Sequence, residues 1–524
     1  MNEQRADSSR VAIGFVTLIL AVTLAALYTP RFVQPIVAAE RNAPPPRQIM
    51  PSVAVWLSTA DHKSRLDPQP DIAMSAQGAA TADVVIDLNA RYQTITGFGA
   101  AMTDSSAWLL HTRMSAQQRA DLLRELYGPP PNLNFNMMRL TIGSSDFSLN
   151  VYTLDDIPFG QSDPELKHFN VASNLQDVIP MMQEVLAVNP GVLTIASPWG
   201  APAWMRTTQN LLGGELEEQF EGTYADYLVK YLDAYRKHGI PIFALTLQNE
   251  PAYAPISYPG MTMGAKTRAR LVSQYLGPKL AGRKPRTEIL EWDHNWTPVE
   301  EPLAVLADPD AARYIDGVAW HCYGGSQHEQ GRVHRAHPDK DAYITECTGG
   351  DWPLSVNGEL LWFSRNLLVT GIRQWARGVV YWNLALDENH GPHFGGCSRC
   401  RGVVTIDSET GEVTRNDEYY ALAHFSRFVE PGASRVNSTD TDVNDNGIAN
   451  VAFQNESDGS VAVVMVNLNK EVRRVSVEDG KNRFEYAMPA ESVATFVWDP
   501  DLAAGWIRRA QRWLSGTRGQ VHVE

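Results

Sequence analysis

From residue 92 onward, short apolar runs alternate with amphipathic stretches. The apolar runs are TITGFGA (94–100), NMMRLTIG (136–143), GVLTIASP (191–198), IFALTLQ (242–248), EILEW (288–292), GVAWHCY (317–323), AYITE (342–346) and GVVYWNLAL (378–386). Runs of this length, rich in β-branched and aromatic residues and bounded by Gly, Pro or Asn, read as strands. Between them the spacing predicts helices. Over Ser115–Leu126, Leu122, Leu123 and Leu126 share one face. Over Tyr224–His238, so do Tyr227, Leu228, Tyr231, Leu232 and Tyr235. Eight strands with intervening helices predict an α/β fold, a (β/α)8 TIM barrel over 92–430. A doubly wound open sheet is the alternative arrangement of the same pattern.

The pattern changes at both ends of this region. After about Glu430, short strands starting at Ala449, Ser460, Arg473 and Ser492 are separated by Asn, Asp and Gly turns, which reads as a β-sandwich. The runs starting at Val53 and Asp83 are also strands, with no helix between them, and they are expected to join that sandwich. The appended domain is therefore built from both chain ends, 51–91 plus 431–500.

The first 50 residues carry an uncharged apolar run, Val11–Tyr28, preceded by Arg5 and Arg10 and followed by the Pro-rich linker Ala43–Arg47. This is an export signal, either cleaved or retained as a membrane anchor, and it puts the body of the chain in a periplasmic or extracellular setting. In the tail, 501–524, the stretch Leu502–Leu514 places Trp506, Ile507, Ala510, Trp513 and Leu514 on one helical face and Arg508, Arg509 and Arg512 on the other. Such a basic amphipathic helix suits either a membrane surface or docking on the sandwich, so membrane contact is expected through 11–28 and 502–514.

Composition narrows the function classes. With 44% hydrophobic and 20% charged residues, the chain is ordinary globular material, not a disordered or fibrous one. A net charge of −15 argues against nucleic acid as a partner. Four cysteines are too few for a disulfide-built scaffold.

In a barrel of this kind reactive groups stand at the C-terminal ends of the strands. Two carboxylates occupy such positions: Glu250, after the fourth strand and flanked by Asn249 and Pro251, and Glu346, which ends the seventh. A single strand-end Glu is more simply a helix cap or the partner of an arginine. Two on separate strands fit glycosidic cleavage, in which one carboxyl donates a proton to the leaving oxygen while the other attacks the anomeric carbon.

Gly97-Phe-Gly-Ala-Ala-Met-Thr-Asp104, Ser197-Pro-Trp-Gly-Ala-Pro-Ala-Trp204, Gln248-Asn-Glu-Pro251 and Trp382-Asn-Leu-Ala-Leu386 stand in the order of the glucosylceramidase family, glycoside hydrolase family thirty, and the chain resembles that family from about Val53 to Trp498. The resemblance implies a retaining β-glycosidase with Glu250 as acid/base and Glu346 as nucleophile. It further implies carboxyl groups ~5–5.5 Å apart. Asn249 would bond the sugar 2-hydroxyl and Tyr323 would orient Glu346. Asp104 would accept hydrogen bonds from sugar hydroxyls, Trp199 and His321 would line the wall, and Trp382 would offer a stacking face. Arg139 is expected mainly to pair with a carboxylate inside the barrel. Two carboxylates and a water complete the mechanism, so no cofactor and no metal are required.

Other signals carry less. Gly97-Phe-Gly99 lacks the third glycine of a dinucleotide site. His390, His393, Cys397 and Cys400 are four metal-type ligands within eleven residues. A Cys397–Cys400 disulfide is the simpler reading for an exported chain, with zinc and free thiols as the alternatives. Cys322 and Cys347 are expected to be free packing groups. The loop Gly395–Gly402 resembles the microbial β-1,6-glucanase branch of the family, which favours a β-glucan substrate over a glucolipid. Glucosylceramide hydrolysis is the second reading, a xylan-cleaving relative the third, and a sugar-binding pseudoenzyme the non-catalytic one.

Overall fold

In the computed structural model, which describes residues 52–76, 81–352, 358–442 and 447–500, all eight apolar runs become parallel strands of one closed barrel. In chain order they are Gly97–Ala101, Met137–Ile142, Leu193–Pro198, Ala244–Thr246, Glu288–Asn295, Gly317–His321, Asp341–Glu346 and Ala376–Tyr381. The eighth pairs back onto the first, with Gly378 opposite Gly97 and Tyr381 opposite Ala100, which rules out the open sheet. The predicted helices are present as Ala116–Tyr127, with Ser115 and Gln118 forming a capping box, and as Glu221–Lys237. The two glycines of Gly97-Phe-Gly99 serve strand packing. A Cβ at Gly99 would lie 1.8 Å from the Met137 carbonyl oxygen, and one at Gly97 would lie 1.8 Å from Asn136 Oδ1.

Side chains alternate between the barrel lumen and the surrounding helices. The lower lumen is apolar, filled by Met137, Ile195, Ala244, Leu290, Ala319, Tyr343 and Val380. Two residues further along the strands the inward positions turn polar: Arg139, Ser197, Thr246, His321 and Thr345. The fifth strand joins this layer through a bulge. Its pairing slips between Trp292 and His294, and both Trp292 (φ 75°) and Asp293 (φ 56°) take left-handed backbone. The extra residue re-aims the strand, so that Asp293 enters the lumen and Trp292 packs outward among the helices.

The sandwich draws on both chain ends, as expected. Strand Ser52–Thr59 lies antiparallel to Ser492–Trp498, which in turn pairs with Val461–Asn467. The long strand Val84–Thr94 joins the two sheets, pairing with Ser434–Ser438 at one end and Arg473–Glu478 at the other. Val461–Asn467 is apolar without alternation because both its faces are covered. Val461, Val463 and Met465 fill the sandwich interior, while Ala462, Val464 and Val466 join the core that surrounds the barrel. The apolar run 11–28 and the tail helix 502–514 lie outside the described residues; among those described, no helix is long and apolar enough to cross a membrane.

His424, on helix Asp417–Ser426, ties the barrel to this sheet. Thr495 Oγ1 donates to the His424 carbonyl (3.0 Å), so it must accept from Nδ1 (2.8 Å), which leaves Nε2 to accept from Ser58 Oγ (2.9 Å). Burial holds this imidazole neutral, with its pKa lowered to about 3. The unfolded chain therefore binds the extra proton first. Stability linked to His424 is complete above the ordinary histidine value near 6.5 and is lost as pH falls toward 3. Removing the proton-linked term should flatten the acid limb by roughly 4 kcal/mol. Urea unfolding of His424→Asn and wild type between pH 3 and 7 checks this; an unchanged slope in the variant would contradict it.

Candidate active site

The polar layer centres on Asp293, which is fully buried. Its Oδ2 lies 2.9 Å from Arg139 Nη2, 2.6 Å from Ser197 Oγ and 2.8 Å from Thr246 Oγ1; its Oδ1 lies 2.6 Å from Thr345 Oγ1 and 3.1 Å from His321 Nε2. Burial alone would raise the pKa of this carboxyl. The Arg139 charge and the bonds from His321 and Ser197 outweigh burial and hold the pKa well below the usual range.

Each cation bound to Asp293 reaches onward to a proposed catalytic carboxylate. Arg139 donates through Nη1 to Glu346 Oε2 and through Nη2 to Asn249 Oδ1 (2.7 Å). Tyr323 Oη donates to Glu346 Oε1 at 3.0 Å. His321 places Nδ1 3.2 Å from Glu250 Oε1. The same nitrogen is 3.8 Å from Glu346 Oε1, so those two carboxylate oxygens are at most about 7 Å apart. Glu250 sits just past the fourth strand in left-handed backbone (φ 48°), its N–H donating to the Asp293 carbonyl at 3.0 Å. Burial pushes the Glu250 carboxyl up, but the imidazoles of His294 and His321 outweigh it and lower the pKa to about 2. Among its charged neighbours His321 is pushed the other way: burial lowers its pKa, but Glu346, Asp293 and Glu250 together raise it to about 9.

Glu250, Glu346, Tyr323 and Trp382 open into a cleft of about 440 Å³, rimmed by Tyr253, Tyr258 and Trp352. That volume falls within the ~300–1,000 Å³ typical of ligand sites. Asn249 is held beneath by Arg139. Trp199 is 3% exposed and stacks 5.2 Å behind Trp382, so it backs the aromatic face more than it lines the wall. His321 is buried under Glu250.

Asp104 stands elsewhere. It opens helix Asp104–Thr112, accepts from Tyr152 Oη at 2.9 Å and is not among the residues lining the cleft. An acidic residue in a first helical turn is accounted for by the helix dipole. A further carboxyl that lines the cleft is Asp146, on the loop after the second strand, where no strand-end position marks it. Burial and the charges of Glu346 and Glu250 push its pKa well above the usual range. Gly396 (φ 64°) makes room for it, because a Cβ there would meet Asp146 Cβ at 2.5 Å.

The cysteines require a second correction. Cys322 and Cys347 are not free but form a disulfide with a Cα–Cα distance of 5.3 Å. A register shift pairs His321 with Glu346 across strands six and seven, which sets the next residue of each strand opposite the other. The bond thus joins the strand of Tyr323 to that of Glu346. Cys397 and Cys400 also pair, which removes both thiolates from any zinc set. The loop they close meets the loop after Glu346 through a short two-stranded pairing, Gly349–Gly350 with Cys400–Arg401.

A closed eight-stranded barrel with two carboxylates at its mouth, on strands four and seven and sharing one imidazole, is a glycoside hydrolase scaffold of the two-carboxylate kind. The chain belongs to glycosyl hydrolase family 30, whose TIM-barrel domain matches residues 95–429 and whose beta sandwich domain matches residues 432–496. It is 36% identical over 390 residues to an endo-1,6-beta-D-glucanase of Neurospora crassa, spanning 72% of this chain and 79% of that one. It is 30% identical over 435 residues to the lysosomal acid glucosylceramidase of Mus musculus, spanning 78% and 82%. A solved endo-beta1,6-glucanase superposes with a TM-score of 0.78 at 32% identity, covering 86% of this chain and 100% of that one. Family, barrel and sandwich are as the sequence motifs imply.

Replacing Asp293 by Asn leaves Arg139 and His321 without their common anion. Breaking a buried pair in this way costs about 3–5 kcal/mol of stability. Loosening both carboxylates should also lower kcat/KM roughly 100-fold or more. Urea unfolding and steady-state kinetics of Asp293→Asn check both; near wild-type kinetics would mean that the carboxylates are positioned without it.

Proposed function

We propose that the chain is a retaining β-glycosidase that hydrolyses β-1,6-linked glucan. The observation that carries the mechanism is the sharing of His321 Nδ1 by Glu250 and Glu346. An upper limit of about 7 Å between these two oxygens accommodates the ~5–5.5 Å carboxyl separation of a retaining enzyme.

Roles follow from the partners. Glu346 takes charged and neutral hydrogen bonds from Arg139 and Tyr323, which hold and aim its oxygens, as a nucleophile requires. Its oxygen attacks the anomeric carbon while the leaving oxygen takes a proton through Glu250, whose Oε1 draws it from the protonated His321 Nδ1 beside it. The glycosyl ester on Glu346 is then attacked by water that gives its proton to the Glu250 carboxylate, restoring both groups with configuration retained. Asn249, its carbonyl oxygen occupied by Arg139, has its amide N–H groups free for the 2-hydroxyl. Asp146, which lines the cleft, would meet other hydroxyls, and Trp382 backed by Trp199 would face the sugar ring.

Three features support a glucan over a lipid aglycone. The Neurospora relative is named for β-1,6-glucan. The paired-cysteine loop Gly395–Gly402 forms one wall of the cleft. The rim beyond the carboxylates carries Tyr253, Tyr258 and Trp352, flat faces with polar edges that suit a second sugar. Export is part of the same reading: all four cysteines are paired, which fits an oxidising compartment, and the Val11–Tyr28 run has the character of a signal or anchor.

Product analysis on a β-1,6-glucan, a β-1,3-glucan, xylan and glucosylceramide in detergent tests the substrate. The β-1,6-glucan should be cleaved, with loss of at least ~10⁴-fold in Glu346→Gln. Ceramide release instead would move the chain to the lipid-cleaving reading, and binding without cleavage would make it a pseudoenzyme.

A further inference from the structure

One buried side chain at the site has no part in the chemistry above. His294 is 7% exposed, and its Nδ1 has no aligned hydrogen-bond partner although it lies 3.3 Å from Glu250 Oε1. On the other side of that oxygen stands His321 Nδ1, at 3.2 Å. The three donor atoms all lie within 4.8 Å of one another; among the described residues, no other set of His, Cys, Asp or Glu donors is gathered this closely.

We propose that Glu250, His294 and His321 form a binding site for a borderline divalent metal ion (Zn2+, Co2+ or Cu2+) whose occupation reversibly blocks the hydrolase. Both imidazole-to-carboxylate spacings, 3.3 and 3.2 Å, are those of a tetrahedral shell, in which donors about 2.0–2.1 Å from a zinc ion stand about 3.3 Å apart. The outer shell is also present. His321 donates Nε2–H to Asp293 Oδ1 at 3.1 Å, so an ion that displaces the proton on Nδ1 meets that nitrogen's lone pair, and a carboxylate behind a ligating imidazole is the usual way of fixing its tautomer and orientation. Two imidazoles and one carboxylate select borderline transition ions over Mg2+ and Ca2+, which take oxygen ligands. Glu250 lines the cleft, so an ion held by it stands beside the space where substrate binds.

Occupation is inhibitory by construction. The metal takes the lone pair of Glu250 and displaces the proton on His321 Nδ1, so the leaving oxygen has no proton donor and the glycosidic bond stays intact. Blockage rests on the glycosidase reading; binding does not.

Titration of the whole chain with Co2+, followed by visible absorption, and with Zn2+, followed by calorimetry, tests the site without any substrate. One ion per chain is expected, with the intense visible bands of four-coordinate Co2+. His294→Gln and Glu250→Gln should each weaken binding at least tenfold, whereas His328→Gln, an exposed surface histidine, should not. In wild type, Zn2+ should inhibit at the concentration at which it binds and chelator should restore activity, and the inhibition constant of His294→Gln should rise by the same factor as its dissociation constant. If His294→Gln unfolds, the Glu250→Gln titration decides alone. No binding below about 1 mM, or binding that both substitutions leave intact, overturns the site. Binding with the expected losses in a chain that cleaves no glycoside would overturn the hydrolase reading and leave the metal site standing.

Discussion

A carboxylate sealed inside the barrel sets the terms for the rest of the site. Asp293 has no contact with solvent, and an isolated charge in that position would cost far more than a domain's whole stability. It persists because three hydroxyls and two cationic side chains converge on its two oxygens. Those cations are thereby fixed in place, and their remaining donors point at the groups that do chemistry. Arg139 spans Asp293, Asn249 and Glu346; His321 spans Asp293 and Glu250. The geometry of the two carboxylates proposed as catalytic, on separate strands, is thus held through one anion that bonds to neither carboxyl group. The fifth-strand bulge is what puts that anion in the lumen, since a regular strand would point Trp292 there instead.

Much of this architecture is legible from residue pattern alone, and the reasons are local. Each barrel strand is a short apolar run closed by a turn residue, and each helix between them shows a 3.6-residue stripe. Glu250 and Glu346 can be found because barrel chemistry is confined to strand ends. Asp293 escapes that reading: it stands in mid-strand, in EWDHN, where alternation predicts an outward side chain, and only the bulge reverses it. Asp104 and Asp146 are hard to tell apart for a related reason. Both follow apolar strands in polar surroundings, and what separates them is the path of the loop after the second strand, which no periodicity encodes. The Cys322–Cys347 bond escapes because it joins two strands 25 residues apart through a register shift that becomes visible only once they pair.

The cleft is framed by covalent and backbone links rather than by the barrel alone. One disulfide ties the ends of strands six and seven beside Tyr323 and Glu346, and another closes the loop after strand eight. The Gly349–Gly350 pairing then joins these loops to each other. Loops are ordinarily the mobile part of a barrel enzyme. Here two of them are tied to one another beside Glu346.

The central claim is that Glu346 forms the covalent bond and Glu250 handles the proton. Incubation with 2-deoxy-2-fluoro-β-D-glucosyl fluoride, which forms the glycosyl ester readily and hydrolyses it slowly, followed by peptide mass analysis, tests it most directly. The account predicts a single fluoroglucosyl adduct per chain, on the peptide that contains Glu346. An adduct on Glu250, or full hydrolysis with inverted anomeric configuration and no adduct, would contradict it.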